Sequence, residues 1–274
     1  NNTGGFTETQ ISISISSLPP DEIYWPESEY ILRSNTSVLI PVINNGPYID
    51  TWEVSPSLPS GLIILDNGTI SGIPDSRTDW NEYTIWANNT GGAVGLIIWI
   101  VVHDLRADQN DLLRGMSEAD FGGWPSPILP IGEWAFPVAF ESSGIPVVSA
   151  SHVGKGKILG YGHESWVDAN HPFSLRAVEW VCGENAEVGL AYGAGFDDFE
   201  NKLQDAGHNV HLSVTPSDLS GIDCLLDEFW NGHDDNDNAA LVDFMNSGGG
   251  VIMGGHAWYW SYSNTDVAHN YPGN

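Results

Sequence analysis

Two stretches of this sequence place a histidine directly after an apolar run that ends in glycine: KILGYGHESW (157–166) and GVIMGGHAWYW (250–260). In an open α/β sheet, ligands collect at the carboxyl ends of strands near a topological switch. If both runs are strands of one sheet, His163, Glu164, His256, Trp258 and Tyr259 share a crevice and form the candidate ligand site. The plainer alternative is a pair of tight turns whose imidazoles hydrogen-bond nearby backbone. Zinc-peptidase chemistry needs two histidines four apart on one helix face with a glutamate beside the first, so that both imidazoles reach one ion. His163-Glu164 is followed by Ser165, Trp166 and Val167, and no HExxH occurs in the chain. A thiol nucleophile on a strand-to-helix elbow reads G-x-C-x-G. Cys182 lies in Trp180-Val181-Cys182-Gly183 and Cys224 in Ile222-Asp223-Cys224-Leu225, and neither fits. No residue of this chain is therefore expected to be catalytic. The two cysteines are either one disulfide or two buried thiols.

In the run NGHDDNDNAALVD (231–243), Asp234, Asn236 and Asn238 follow the start of a calcium loop. Ala239 stands where such a loop needs glycine and no glutamate closes it, so the expected role is capping of a following helix. No cofactor is expected; the alternative is calcium, with Asp104 and Asp108, near the change of character at 103–104, as its candidate ligands. Gly154-Lys155-Gly156 is too short for a phosphate loop and reads as a hairpin turn. Trp258, Tyr259 and Trp260 offer a surface on which sugar rings stack, although most of the 12 tryptophans are expected in the core.

The elements that must position these residues follow from periodicity. After residue 105, helix-compatible stretches alternate with apolar runs, which signals an α/β domain. Strands are predicted at 136–140, 146–151, 157–162, 187–192, 209–214, 223–228 and 250–255, with helices over 172–182, 196–206 and 235–247. Before residue 104 the runs are short and β-rich: SVLIPVI (37–43), DTWEVS (50–55), GLIIL (61–65), EYTIWA (82–87) and GLIIWIVV (95–102). Turn signals separate them, as in an antiparallel sandwich. Residues 1–18 and 88–105 both open with NNTGG and continue into a β-rich run. That spacing predicts residues 1–18 to be the last strand of a preceding repeat or a linker, 19–104 one sandwich of a tandem array, and 105–274 the α/β domain.

Through SPSLPSGLIILDNGTISGIP (55–74) and YTIWANNTGG (83–92), residues 20–104 resemble the Ig-like, cadherin-like repeat family. The resemblance implies a spacer or adhesion module. A second resemblance rests on AFPVAF (135–140), SASHVGKGKILGYGHESW (149–166), AVEWVC (177–182), DFMNSGGGVIMGGHAWYW (243–260) and NYPGN (270–274). These stretches are similar to the amidotransferase-like domain of TRP-channel-associated factors, which also precedes the catalytic unit of enhancin-like mucin peptidases. The implied fold is a three-layer, flavodoxin-like α/β domain of the class I glutamine amidotransferase type. In the peptidases the catalytic unit follows a segment like Pro272-Gly273-Asn274.

Lys+Arg 8 against Asp+Glu 36 gives a net charge of −28, which repels phosphate backbones and anionic membranes. Nucleic acid is excluded as a partner, and the acidic surface suits salt-rich water. The longest apolar run, VGLIIWIVV (94–102), is a strand length and not a membrane span. No leader is visible at the start. N-x-S/T sequons stand at Asn1, Asn35, Asn67 and Asn88, which fits export and glycosylation. The expected role is a non-catalytic extracellular or cell-surface module that contacts surface proteins or glycans, with self-association through tandem repeats. The competing expectations are an accessory region of a secreted zinc peptidase and a carbohydrate-binding module.

Overall fold

A computed structural model describes residues 3–13, 17–118, 123–163, 172–191, 197–229, 231–256 and 258. The chain divides into two units, Asn1–Asp104 and Leu105–Asn274.

The first unit contains β1 (Ile23–Tyr24), β2 (Glu29–Arg33), β3 (Val38–Ile40), β4 (Ile43–Asn44), β5 (Thr51–Ser55), β6 (Leu62–Ile64), β7 (Ile70–Gly72), β8 (Thr78–Asn89) and β9 (Gly92–His103). They form a four-stranded sheet in the order β2-β9-β8-β5, a three-stranded sheet β3-β7-β6 and the pair β1-β4. Alternation sets what each strand buries. Tyr83 and Ile85 of β8 and Ile98 and Ile100 of β9 share one core with Val38, Ile40, Leu62 and Ile70 of the three-stranded sheet. Each such side chain contributes about 1.5–3 kcal/mol on burial.

Two features differ from the sequence reading. The run 37–43 breaks into β3 and β4 around Pro41, because proline has no N–H to donate to a ladder. β2, which carries no strong alternation, pairs parallel with β9 from Glu29↔Trp99 to Arg33↔His103, so the unit is not wholly antiparallel. Parallel pairing needs a long crossover, and the six strands between β2 and β9 supply it. In the Ile-Ser run near the start, Ile11 and Ile13 are exposed and pair with no sheet, and 14–16 fall outside the described residues. Ser17 and Leu18 are anchored: Thr90 Oγ1 donates to Ser17 Oγ at 2.9 Å, and Asn89 Nδ2 to the Leu18 carbonyl at 2.9 Å.

The second unit runs α1 (Leu105–Leu112), β10 (Ala135–Phe140), β11 (Pro146–Val153), β12 (Gly156–Tyr161), α2 (Pro172–Cys182), β13 (Glu187–Ala191), α3 (Asp197–Asp205), β14 (Asn209–Val214), β15 (Cys224–Glu228), α4 (Asp235–Asn246) and β16 (Gly250–Gly254). One seven-stranded sheet results, in the order β10-β11-β12-β16-β15-β13-β14. β10 to β12 form an antiparallel meander, whose second turn is Gly154-Lys155 between Val153 and Gly156. From β12 to β14 every pairing is parallel. β16 is buried along its whole length and β15 along most of it, as strands covered on both faces must be. Helix α2 packs so close to β16 that a Cβ on Gly250 would stand 2.4 Å from Val181 Cγ1. Helix α4 is capped by Asp234, whose side chain accepts from the backbone of Asn236 and Asp237 while Asp237 returns the bond.

Candidate functional site

The parallel register places Gly160 of β12 opposite Met253 of β16. Their continuations, Gly162-His163 and Gly255-His256, therefore leave the sheet side by side at its carboxyl edge. The two imidazoles meet with ring centroids 3.8 Å apart at 66°. The indole of Trp258 stands edge-on to His256 at 5.7 Å. Residues 123–126 cross these strand ends and fix them. Ser126 N donates to the Gly162 carbonyl at 2.7 Å, and Trp258 donates from its backbone to Ser126 Oγ at 3.2 Å and from Nε1 to the Trp124 carbonyl at 2.7 Å. His256 Nε2 faces the Gly123 carbonyl at 3.4 Å. A Cβ on Gly162 would lie 2.0 Å from the Ser126 carbonyl oxygen, which explains the glycine before His163. Thus His163, His256 and Trp258 come together. Glu164, Tyr259 and Trp260 lie outside the described residues.

β15 delivers to the same edge a pair that the sequence reading missed. Asp227 is 0% exposed; its Oδ1 accepts from Glu228 N and Asn231 Nδ2, both at 2.7 Å, and its Oδ2 lies 3.0 Å from His233 Nε2. The hydrogen bond to Asp227 raises the His233 pKa; partial burial opposes it, and the charges of Asp227, Asp237 and Asp234 reinforce it. The one signal in the sequence was an aspartate closing the apolar run CLLDE, a position that demands a partner.

A second buried pair joins α1, β11 and α2. Asp108 Oδ2 meets His152 Nε2 at 2.8 Å, and Trp180 Nε1 donates to Asp108 Oδ1 at 3.2 Å. Burial works to raise the Asp108 pKa, but the hydrogen bond and charge of His152, with Trp180 and Lys157, outweigh it and hold the carboxyl below its ordinary value. Lys157 Nζ donates to the Trp180 carbonyl at 2.7 Å and sits 4.9 Å over its ring. A calcium ion at Asp108 would have to displace these partners; Asp104 is half-buried. Among the described residues, no group of three or more His, Cys, Asp or Glu is placed to hold a metal ion.

Cys182, closing α2, is bonded to Cys224, opening β15, with their Cα atoms 5.2 Å apart. The chain has two cysteines, so this bond occupies both. Of the sequons, Asn35 and Asn67 are exposed and Asn88 is half-buried, donating to Glu53 Oε1 at 3.3 Å; Asn1 lies outside the described residues.

Beside the histidine pair, across residues 124–125, a cleft of about 800 Å³ opens between the end of α1, the end of β10 and the start of α2. Met116, Val138, Phe140 and Trp124 give it apolar walls, and Glu118 and Glu141 add carboxylates. No helix of the described residues is long and apolar enough to cross a membrane.

The profile of the family described as TRPM8, N-terminal domain (TCAF_N) matches residues 92–274. A TRPM8 channel-associated factor homolog from Xenopus laevis is 32% identical over 61% of this chain and 18% of its own length. TRPM8 channel-associated factor 2 from Homo sapiens is 35% identical over 56% of this chain and 16% of its own. The chain thus matches less than a fifth of either relative. Among solved structures, the IMPa metallopeptidase from Pseudomonas aeruginosa is similar over 55% of this chain and 19% of its own, with 18% identity and a TM-score of 0.45.

Proposed function

Because the chain belongs to the TCAF_N family, we propose that it is a non-catalytic module of a larger protein, working as a structural platform that engages other proteins. The observation that carries this reading is the Cys182–Cys224 bond. Amidotransferase chemistry needs a free thiolate beside a base, and both sulfurs of the chain are committed to each other, at a helix end and a strand start. The histidines at the strand ends lean on each other, and His256 faces the Gly123 carbonyl. The second unit reads as an amidotransferase-like α/β domain retained for its shape, supported by its parallel strand core. The first reads as an Ig-like spacer, supported by two sheets sharing one core. The disulfide and the exposed sequons at Asn35 and Asn67 favour an extracellular or cell-surface setting. The channel association named for the relatives makes a membrane-protein partner the reading's natural extension.

Purified oxidised chain is expected to show no free thiol with Ellman's reagent and to release no ammonia from glutamine above a heat-inactivated control. Turnover that tracks a titratable thiol would sink the reading. In the competing arrangement, an accessory region of a zinc peptidase, these domains are equally non-catalytic; an HExxH helix encoded downstream in the parent gene decides for it.

A further inference from the structure

We propose that the cleft beside the strand ends receives a basic, amphipathic peptide segment of a partner protein. This builds on the non-catalytic, protein-binding reading above and adds the chemistry of what is bound. Three features select the occupant. The first is charge: among the described residues of the lining, Glu118 and Glu141 are present and no lysine, arginine or histidine is, within a chain of net charge −28. A cationic guest is attracted both at contact and from a distance, whereas an anionic one is repelled. The second is apolar texture. Met116, Val138 and Phe140 form a wall next to Trp124, and unbranched methionine adapts to varied side chains, as protein-binding grooves require. The third is openness, because Trp124 is 84% exposed and Phe140 51%. A small ligand within the cleft would leave these rings in water, while an extended segment covers the rim and fills the floor together, giving buried aromatic anchors inside a polar margin. A patch with these features is built from separate stretches, the end of α1, residues 124–125, the end of β10 and the start of α2, held by the sheet and by the bonds from Trp258 to residues 124 and 126.

Fluorescence anisotropy on the whole 274-residue chain tests this, with a labelled synthetic helix-forming peptide of lysine and leucine in amphipathic order as probe. The expected result is saturable binding that the double variant Glu118→Lys/Glu141→Lys weakens about tenfold or more, since like charges in contact oppose docking. Trp124→Ala is expected to weaken it several-fold, while Glu8→Lys/Glu82→Lys, the same charge change on exposed sites of the first unit, has less than about a twofold effect. Equal loss in both double variants would mean unspecific attraction to an acidic protein and would overturn the proposal. So would tighter binding of a glutamate-for-lysine counterpart, or displacement of the probe by lysine methyl ester or by a neutral oligosaccharide such as maltoheptaose. The variants are on the surface, and circular dichroism of each checks that the fold is kept. Failure here leaves the thiol and glutamine assays untouched, so the two readings fail separately.

Discussion

At the scale of single residues, carboxylate-histidine pairs pin the second unit. Breaking the Asp108–His152 pair leaves one buried polar partner unmatched, so Asp108→Asn is expected to cost about 3 kcal/mol, read from the urea midpoint. Because the folded-state pKa of Asp108 is depressed, its stabilisation is present above the ordinary carboxylate range and is lost as pH falls through the lower folded value. His233 behaves oppositely. Its folded pKa is raised, so its contribution is full below the unfolded value of about 6.5 and fades as pH rises through the folded one. The unfolding midpoint should therefore decline from about pH 6 to pH 8, and His233→Gln should flatten that decline; an unchanged slope would refute the assignment. The neighbouring histidines His163 and His256 were legible because each follows an apolar run ending in glycine. The Asp227–His233 pair was not, since its members lie on either side of a turn and only the fold makes them neighbours.

At the scale of elements, local chemistry dictated the helix boundaries well. The capping box at Asp234 could be read from the acidic run before α4, and Asp234→Ala is expected to cost about 1 kcal/mol in thermal or urea unfolding. The strands of the second unit were readable as apolar runs, within one or two residues at their ends. In the first unit, β2 escaped notice because its half-buried pattern carries no clean alternation, and its parallel partner β9 lies far along the chain. Pairing direction is a tertiary property, and no local signal in Glu29–Arg33 encodes it. Proline gave the missing clue at 41, where it divides a run that hydrophobicity alone joins.

At the scale of the whole molecule, a net charge of −28 stores self-repulsion that dissolved salt screens. Raising sodium chloride from about 0.05 to 0.5 M is expected to raise the melting temperature, and a fall would show that ion pairs dominate instead. Reducing the Cys182–Cys224 bond releases a sequence separation of 42 residues, a loss of about 4 kcal/mol or roughly 10 °C in calorimetry. The cleft was invisible before the fold was known, because its walls come from segments with no shared motif. The position of β16 has one more consequence. It lies between β12 and β15 in the sheet, yet it is the last strand of the described chain to be made. While a ribosome is still extending the polypeptide, β12 and β15 must wait with open edges for a neighbour they cannot replace. A nascent chain halted before residue 250 exposes two sticky, apolar borders, and chaperones would recognise those borders first.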